Sequence, residues 1–341
     1  MSYMTRLKKG KLPTLKDIAS ETGFSVTAVS HALKDMPDIS PATRKVIRDC
    51  ADRLGYIANA SATSLRTGRT NTVAIILGDL SNPYFSFIAK ELERIFEQKG
   101  YSAFFMHSNE QLDIERRSII AACSRNVDGI IICPTQTPYT CDNINYIRNL
   151  HTPCVIIGRY FDDIDMNYVL SDDHMAGRLA AQHLTERGHR KILYINTPIY
   201  NSSSRQRSEG FLEGCGGCGD MDITEVEFDD FGQYFIREKE KIAANAYTAI
   251  VAYNDIIGWD VMSRLRTLEM SIPNDISLIS FDNIHSLLPL PFSLTSISSS
   301  KTEMTTKAAD LLLRSMKDPS TPPSRITLEV SLHDRGSVKP L

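Results

Sequence analysis

Along residues 14–55, apolar positions recur at helical spacing in three short stretches, and a single glycine separates the first two. Leu15, Ile18 and Ala19 place one apolar face on a short helix. Gly23 ends it, because glycine takes the left-handed C′ conformation without a Cβ penalty. Phe24 plugs the corner, and Ser25 stands where an N-cap starts a second helix. Val29, Ala32 and Leu33 form that helix's inner face; Val26, Thr27, Ser30 and His31 form its outer face and carry no net charge. Two short helices at this spacing predict a helix-turn-helix, whose second helix enters the major groove. An ordinary helical hairpin is the alternative that these residues alone leave open. Ser40-Pro41 opens a third helix through Val46, Ile47, Cys50, Ala51 and Leu54 to Gly55, enough to close a small three-helix core.

The pattern changes after Thr72. Short apolar runs expected as strands (Val73–Leu77, Ala103–Met106, Gly129–Cys133, Cys154–Ile157, Tyr168–Leu170) alternate with helical stretches at Tyr84–Gln98 and Asp113–Asn126. A second series has helices Asp172–Arg187, Ser203–Glu213, Ile236–Tyr247 and Asp255–Glu269, with strands Ile192–Ile195, Ala249–Ala252 and Ser277–Phe281. Helix Thr302–Met316 and strand Ile326–Val330 come last, and the serine-rich Ser293–Ser300 reads as a crossing between lobes. Apolar strands separated by helices predict parallel sheets covered on both faces. The expected fold class is therefore α/β, with an N-terminal helix-turn-helix head and a core of two doubly wound parallel-sheet lobes.

Charge sharpens this division. Residues 1–71 hold 12 Lys/Arg against 6 Asp/Glu, a net of +6, whereas the remainder of the 341-residue chain holds 26 against 35, a net of −9. A basic head on an acidic body points to a polyanion partner for the head alone. No run of about 18 apolar residues exists, so no membrane partner is expected. The basic N-terminus lacks an apolar stretch behind it, which reads as a cytoplasmic protein without a signal peptide. Seven scattered cysteines fit reduced thiols, and the Cys215/Cys218 pair has redox spacing but no second pair or nearby histidine to complete a metal site.

Ligands of doubly wound sheets sit at the carboxyl ends of the strands. Those positions here hold Asp79, Tyr84, Phe85, His107, Asn109, Arg159, Asp172, Arg207, Asn254, Asp255 and Asp282. Carboxylates, two arginines, amides and aromatic rings suit the hydroxyls and ring face of a polar small molecule. Each has a plainer reading as well: Asp172 and Asp255 as helix caps, Arg207 as a surface ion pair, Tyr84 and Phe85 as core. No GxGxxG, P-loop, HExxH or GxSxG motif occurs, so no catalytic residue, cofactor or metal is expected and the chain is not read as an enzyme.

The whole chain resembles the LacI/GalR family of bacterial transcriptional regulators. The resemblance rests on Thr14-Leu-Lys-Asp-Ile-Ala, Gly23-Phe-Ser-Val-Thr-Ala-Val-Ser-His-Ala-Leu, Leu54-Gly-Tyr-Ile-Ala-Asn and Ser64-Leu-Arg-Thr-Gly-Arg in the head and linker. In the body it rests on Asp79-Leu-Ser-Asn-Pro-Tyr-Phe, Val127-Asp-Gly-Ile-Ile, Gly188-His-Arg-Lys-Ile, Asn254-Asp and Ile276-Ser-Leu-Ile-Ser-Phe-Asp-Asn. It implies a nucleoid-associated homodimer, or a tetramer made as a dimer of dimers, on palindromic operator DNA. It also implies a periplasmic-binding-protein-like core holding a sugar or related metabolite, with repression as the default role.

By the same resemblance, Val26, Thr27 and His31 face base edges and Thr14, Ser25, Ser30 and Asn59 contact phosphates. Asn59 to Arg66 would form a hinge helix with Leu65 as its minor-groove wedge, and Arg66 joins the DNA-binding set. Implied boundaries are a flexible arm over 1–13, the head over 14–58, the linker over 59–71 and the core over 72–341. Within the core, an N-lobe spans about 72–169 and 299–328, and a C-lobe about 170–298 and 329–338. The chain departs from the family pattern at Ala58 (usually Pro), Thr63 (usually Arg), His31 (more often Arg) and Ser298-Ser299-Ser300 (often Arg-Gln-Pro). The runner-up class, an exported solute-binding protein, would share the two lobes but needs export and no DNA-binding head.

Overall fold

The computed structural model describes residues 12–57, 68–136, 141–197, 201–216, 222–243, 246–288 and 292–341, and its contacts divide the chain into two units at Gly68/Arg69. In the first unit, helices α1 (Leu15–Thr22), α2 (Val26–Leu33) and α3 (Pro41–Leu54) enclose a core of Ile18, Val29, Ala32, Ile47, Cys50 and Ala51. Local chemistry sets every boundary. Thr14 and Asp17 form a capping box on α1, and Gly23 closes it at φ 76°. Ser25 caps α2 through the Ala28 N–H, and Ser40 caps α3 with Pro41 in the first turn.

The second unit carries two six-stranded sheets. Its strands are β1 (Thr72–Leu77), β2 (Ser102–His107), β3 (Gly129–Ile132), β4 (Cys154–Ile157), β5 (Asn167–Ser171), β6 (Lys191–Asn196), β7 (Asp222–Glu227), β8 (Ala249–Ala252), β9 (Ser277–Phe281), β10 (Thr295–Ser299), β11 (Arg325–Leu328) and β12 (Val330–His333). The first sheet runs β11-β5-β4-β3-β1-β2 with every pairing parallel. The second runs β12-β10-β9-β8-β6-β7, parallel except for the antiparallel β10–β12 pair. The helices are α4 (Pro83–Gln98), α5 (Leu112–Ser124), α6 (Asp142–Asn149), α7 (Asp173–Thr185), α8 (Ser202–Gly214), α9 (Phe228–Ala243), α10 (Asp255–Thr267) and α11 (Lys301–Lys317). β3 and β4 are buried from end to end and β1 from Val73 onward, as strands covered by helices on both faces must be, so each reads as a continuous apolar run.

Four expectations need correction. Ser293–Ser300 is not a plain crossing: Thr295–Ser299 is β10, hydrogen-bonded between β9 and β12, and the chain passes to the first sheet at Ser300. Small residues suit that strand because it is buried on both faces. β7 has no counterpart in the apolar-run reading, since an edge strand alternating Asp-Ile-Thr-Glu-Val-Glu is half solvated. The short α6 is likewise unanticipated, and α9 lies N-terminal to the expected Ile236–Tyr247. Tyr234, Phe235 and Ile242 supply its buried face, while Tyr247 packs beyond the helix end.

Candidate functional site

In the second unit, the carboxyl ends of both sheets converge on one cavity of about 390 Å³. From the first sheet come Asp79, Ser81, Asn82, Tyr84 and Phe85 after β1, Glu110 after β2, Cys133 after β3, and Gly158 and Arg159 after β4. The second sheet and its helices contribute Asn201, Ser203 and Arg207 around α8, Tyr253 and Asn254 after β8, and Asp282 after β9. This is the strand-end position where doubly wound sheets bind ligands.

Two buried guanidinium groups dominate the site, and each is already occupied. Arg159 holds Glu110 in a bidentate pair, Nη1 to Oε2 at 2.6 Å and Nη2 to Oε1 at 2.9 Å, and donates to the Pro134 carbonyl at 2.9 Å. Arg207 donates to Asp173 at 2.8 Å, Asp282 at 3.2 Å and the Tyr253 carbonyl at 2.7 Å. Its guanidinium also lies 5.0 Å from the Tyr253 ring centroid and 4.8 Å from that of Phe281. Burial disfavours the charge on Arg207, but Asp173 and Asp282 outweigh it and its pKa is raised. Four lining carboxylates (Asp79, Glu110, Asp173, Asp282) face these two cations, a formal net charge of −2.

The backbone is bent to deliver these groups. Asn109 and Glu110 sit at φ 48° and 57°, and Asp282 and Asn283 at φ 91° and 49°, so each sheet offers its carboxylate from two successive left-handed residues. Arg207 reaches Asp173 because α7 and α8 cross almost in backbone contact. A Cβ on Gly177 would lie 2.1 Å from the Arg207 carbonyl oxygen, and one on Gly210 would lie 2.0 Å from that of His174. The two sides of the cleft are also tied directly, Ser203 Oγ donating to the Gly158 carbonyl at 2.8 Å. Cys133 lines the cavity, but burial pushes its thiol up to about 12, so it acts as packing and not as a nucleophile.

Of the eleven expected ligand residues, Asp79, Tyr84, Phe85, Arg159, Arg207, Asn254 and Asp282 line this cavity. The other four do not. His107 and Asn109 bond each other at 2.8 Å, and the next residue, Glu110, enters the site in their place. Asp172 caps α7 through the Met175 N–H at 2.9 Å and borders a smaller cavity of about 230 Å³, while Asp173 holds Arg207. Asp255 is turned inward, accepting from Ser280, from Ser296 at 2.8 Å and from the Ile284 N–H at 2.6 Å. Glu110, Asp173, Asn201, Ser203 and Tyr253 are the residues that strand-end counting misses. In two of these cases counting stops one residue short: Asn109 precedes Glu110, and Asp172 is the helix cap that precedes Asp173.

In the first unit, α2 presents Val26, 41% exposed, and Thr27 outward, with Ser30 and His31 half-buried beside them. An exposed valine among polar groups contributes nothing to the head's core and suits contact with a thymine methyl. Thr14 and Ser25 are exposed caps at the starts of α1 and α2, where free N–H groups gather. His31 is tethered: its Nδ1 lies 2.6 Å from Asp38 Oδ2, which leaves Nε2 free to face outward. Arg44 holds the loop bearing Asp38, donating to the Met36 and Ile39 carbonyls at 2.9 and 3.1 Å. Asn59, Leu65, Arg66 and Cys218 lie outside the described residues.

Comparison with known proteins agrees with both halves. Residues 14–59 match the family described as bacterial regulatory proteins, lacI family, and residues 181–338 match the periplasmic binding protein-like domain. The chain belongs to the LacI family. It is a DNA-binding transcriptional regulator. Over 343 residues this LacI-family chain is 29% identical to the HTH-type transcriptional repressor PurR of Actinobacillus pleuropneumoniae serotype 3 (strain JL03), covering 97% of this chain and 99% of the relative. A LacI-family transcriptional regulator from Silicibacter pomeroyi has a TM-score of 0.80 at 25% identity over 96% of this chain and 99% of its own. A periplasmic binding protein/LacI transcriptional regulator from Alkaliphilus metalliredigens QYMF, complexed with D-xylulofuranose, has a TM-score of 0.69 at 29% identity, covering 79% of this chain and 99% of its own. Among the described residues, no helix is long and apolar enough to cross a membrane and no cluster of His, Cys, Asp or Glu has metal-binding form.

Proposed function

We propose that this regulator binds operator DNA through α2 and that an uncharged, polyhydroxylated molecule, a monosaccharide by size and chemistry, sets its DNA affinity from the cleft. One observation carries the choice of ligand: both cleft guanidinium groups are consumed by the protein's own carboxylates. Among the described residues lining the cavity no cation is left over for a phosphate, and their formal charge of −2 repels one. Carboxylates, amides and hydroxyls fixed by such pairs instead accept and donate to sugar hydroxyls, while Tyr84, Phe85 and Tyr253 offer ring faces. The sugar found with the Alkaliphilus relative supports the same class. A homodimer reading a palindrome, repression as the sign of control, and His31 as a reader of base edges complete the proposal.

A thermal-shift screen of pentoses and hexoses beside their phosphate esters tests it. The free sugars should include a stabilising ligand, since a ligand at 100 times its Kd adds about 2.7 kcal/mol. Stabilisation by esters alone would reject the charge argument.

A further inference from the structure

A second cavity, of about 340 Å³, lies where the chain passes from the second sheet to the first. Ser298, Ser299 and Ser300 border it with the first turn of α11, Ser331 and His333 of β12 close one side, and Phe87 of α4 closes the other. Its one formal charge is Lys301, which is only 6% exposed and whose ammonium has no hydrogen-bond or ion-pair partner among the described residues. The Tyr84 ring centroid lies 5.8 Å from its Nζ, and Asp282 and Asp255 act on it only through space. Burial therefore lowers its pKa, the signature of an ammonium short of a counter-charge. Lys301 is also the first residue of a 17-residue helix. Ser300 Oγ accepts from the Glu303 N–H at 3.2 Å, while the N–H groups of Lys301 and Thr302 have no partner inside the helix.

We propose that this cavity is a second ligand site, for a small oxyanion such as a phosphate group, held by the Lys301 ammonium, the α11 N-terminus and the Ser298 and Ser300 hydroxyls. A buried cation and the positive end of a helix converge there, and both favour an anion. The charge preference is the reverse of the main cleft's, so the two sites sort ligands by charge. An anion seated there contacts both sides of the crossing at once: α4 and α11 on the first sheet, β10 and β12 on the second. It would thus hold the lobes at one angle without entering the cleft.

The test is calorimetric titration of the full chain with inorganic phosphate against sodium chloride of equal ionic strength, on wild type, Lys301→Met and Asp79→Asn. Wild type should bind saturably. Lys301→Met, which fills the same space without the charge, should lose about tenfold or more in affinity while its unfolding midpoint stays within the wild-type range or rises. Asp79→Asn should leave phosphate binding unchanged. Absence of saturable phosphate binding to wild type, or equal binding by Lys301→Met, overturns the proposal. Tighter binding by Asp79→Asn places the phosphate in the main cleft and overturns it together with the charge argument for that cleft.

Discussion

The head and the cleft solve recognition in opposite ways. On α2, Val26 and Thr27 are left open to solvent with Ser30 and His31 half-buried beside them, none of the four is a lysine, arginine or acid, and His31 is braced by Asp38. In the cleft, Arg159 is locked to Glu110 and Arg207 to Asp173 and Asp282, with little of any of these side chains exposed, before any ligand arrives. The contrast follows from what each must bind. DNA brings its own charge and a rigid groove, so a surface needs little beyond the right small groups in register. A sugar brings only hydroxyls, so the protein must supply fixed donors and acceptors and has to neutralise their charges internally.

Breaking the lock is the severest way to probe that difference. Arg207→Ala leaves Asp173 and Asp282 buried and unpaired, a loss on the order of 3–5 kcal/mol, and the variant should show a large drop in unfolding midpoint. It is therefore not a clean reporter of effector binding. Removing either outward side chain of α2, as in Thr27→Ala, should leave the midpoint almost unmoved. Equal midpoints for the two variants would erase the distinction drawn between head and cleft.

Asp255 gives a second probe, through pH. Burial, with Asp282 adding to it, raises this carboxyl to about 6, well above the ordinary aspartate value of about 3.9. The folded state then holds the proton over a range in which the unfolded chain has released it. Stability is accordingly lost as pH rises from about 4 to 6, by on the order of 2 kcal/mol. Asp255→Asn keeps the acceptor for the Ile284 N–H and donates to the serine hydroxyls, so its stability should be flat across that window. Denaturant unfolding at pH 4, 5 and 6 checks this, and parallel curves for wild type and variant would contradict the buried-acid account.

On the head, His31→Ala should cost about 1–3 kcal/mol on the selected site and relax one base position in each half-site. The smallest effect concerns Asp38. Asp38→Ala frees the imidazole to rotate and change tautomer, so it should relax the same base position as His31→Ala, by about 1 kcal/mol. Asp38→Asn, which still accepts from Nδ1–H, should largely restore the preference. Selection from a randomised half-site reads all three variants. A uniform change across positions would reduce Asp38 to a charge near the backbone.

The same contrast explains what is legible in the sequence. The head's parts are contiguous: caps, corner glycine and inner face all fall within residues 14–55, so local rules suffice. The parallel strands are legible because burial on both faces makes them continuous apolar runs, but the half-solvated β7 and the serine-rich β10 carry no such signal. The cleft is legible only as a set of strand ends. Which of Asp172 and Asp173, or of Asn109 and Glu110, turns inward is set by the backbone just past the strand, where Asn109 and Glu110 are both left-handed and Asp172 caps the next helix. Only a partner distant in sequence, such as Arg207 or Arg159, distinguishes them.

The most direct measurement of the central claim is the affinity of the full chain for its own selected DNA fragment, with and without the sugar that stabilises it most, each run beside that sugar's phosphate ester. The free sugar should change the DNA Kd by about tenfold or more, a coupling of roughly 1.4 kcal/mol, and the ester should not act through the cleft. A DNA affinity unmoved by any sugar that binds, or a response to the ester alone that Asp79→Asn strengthens, would contradict the account.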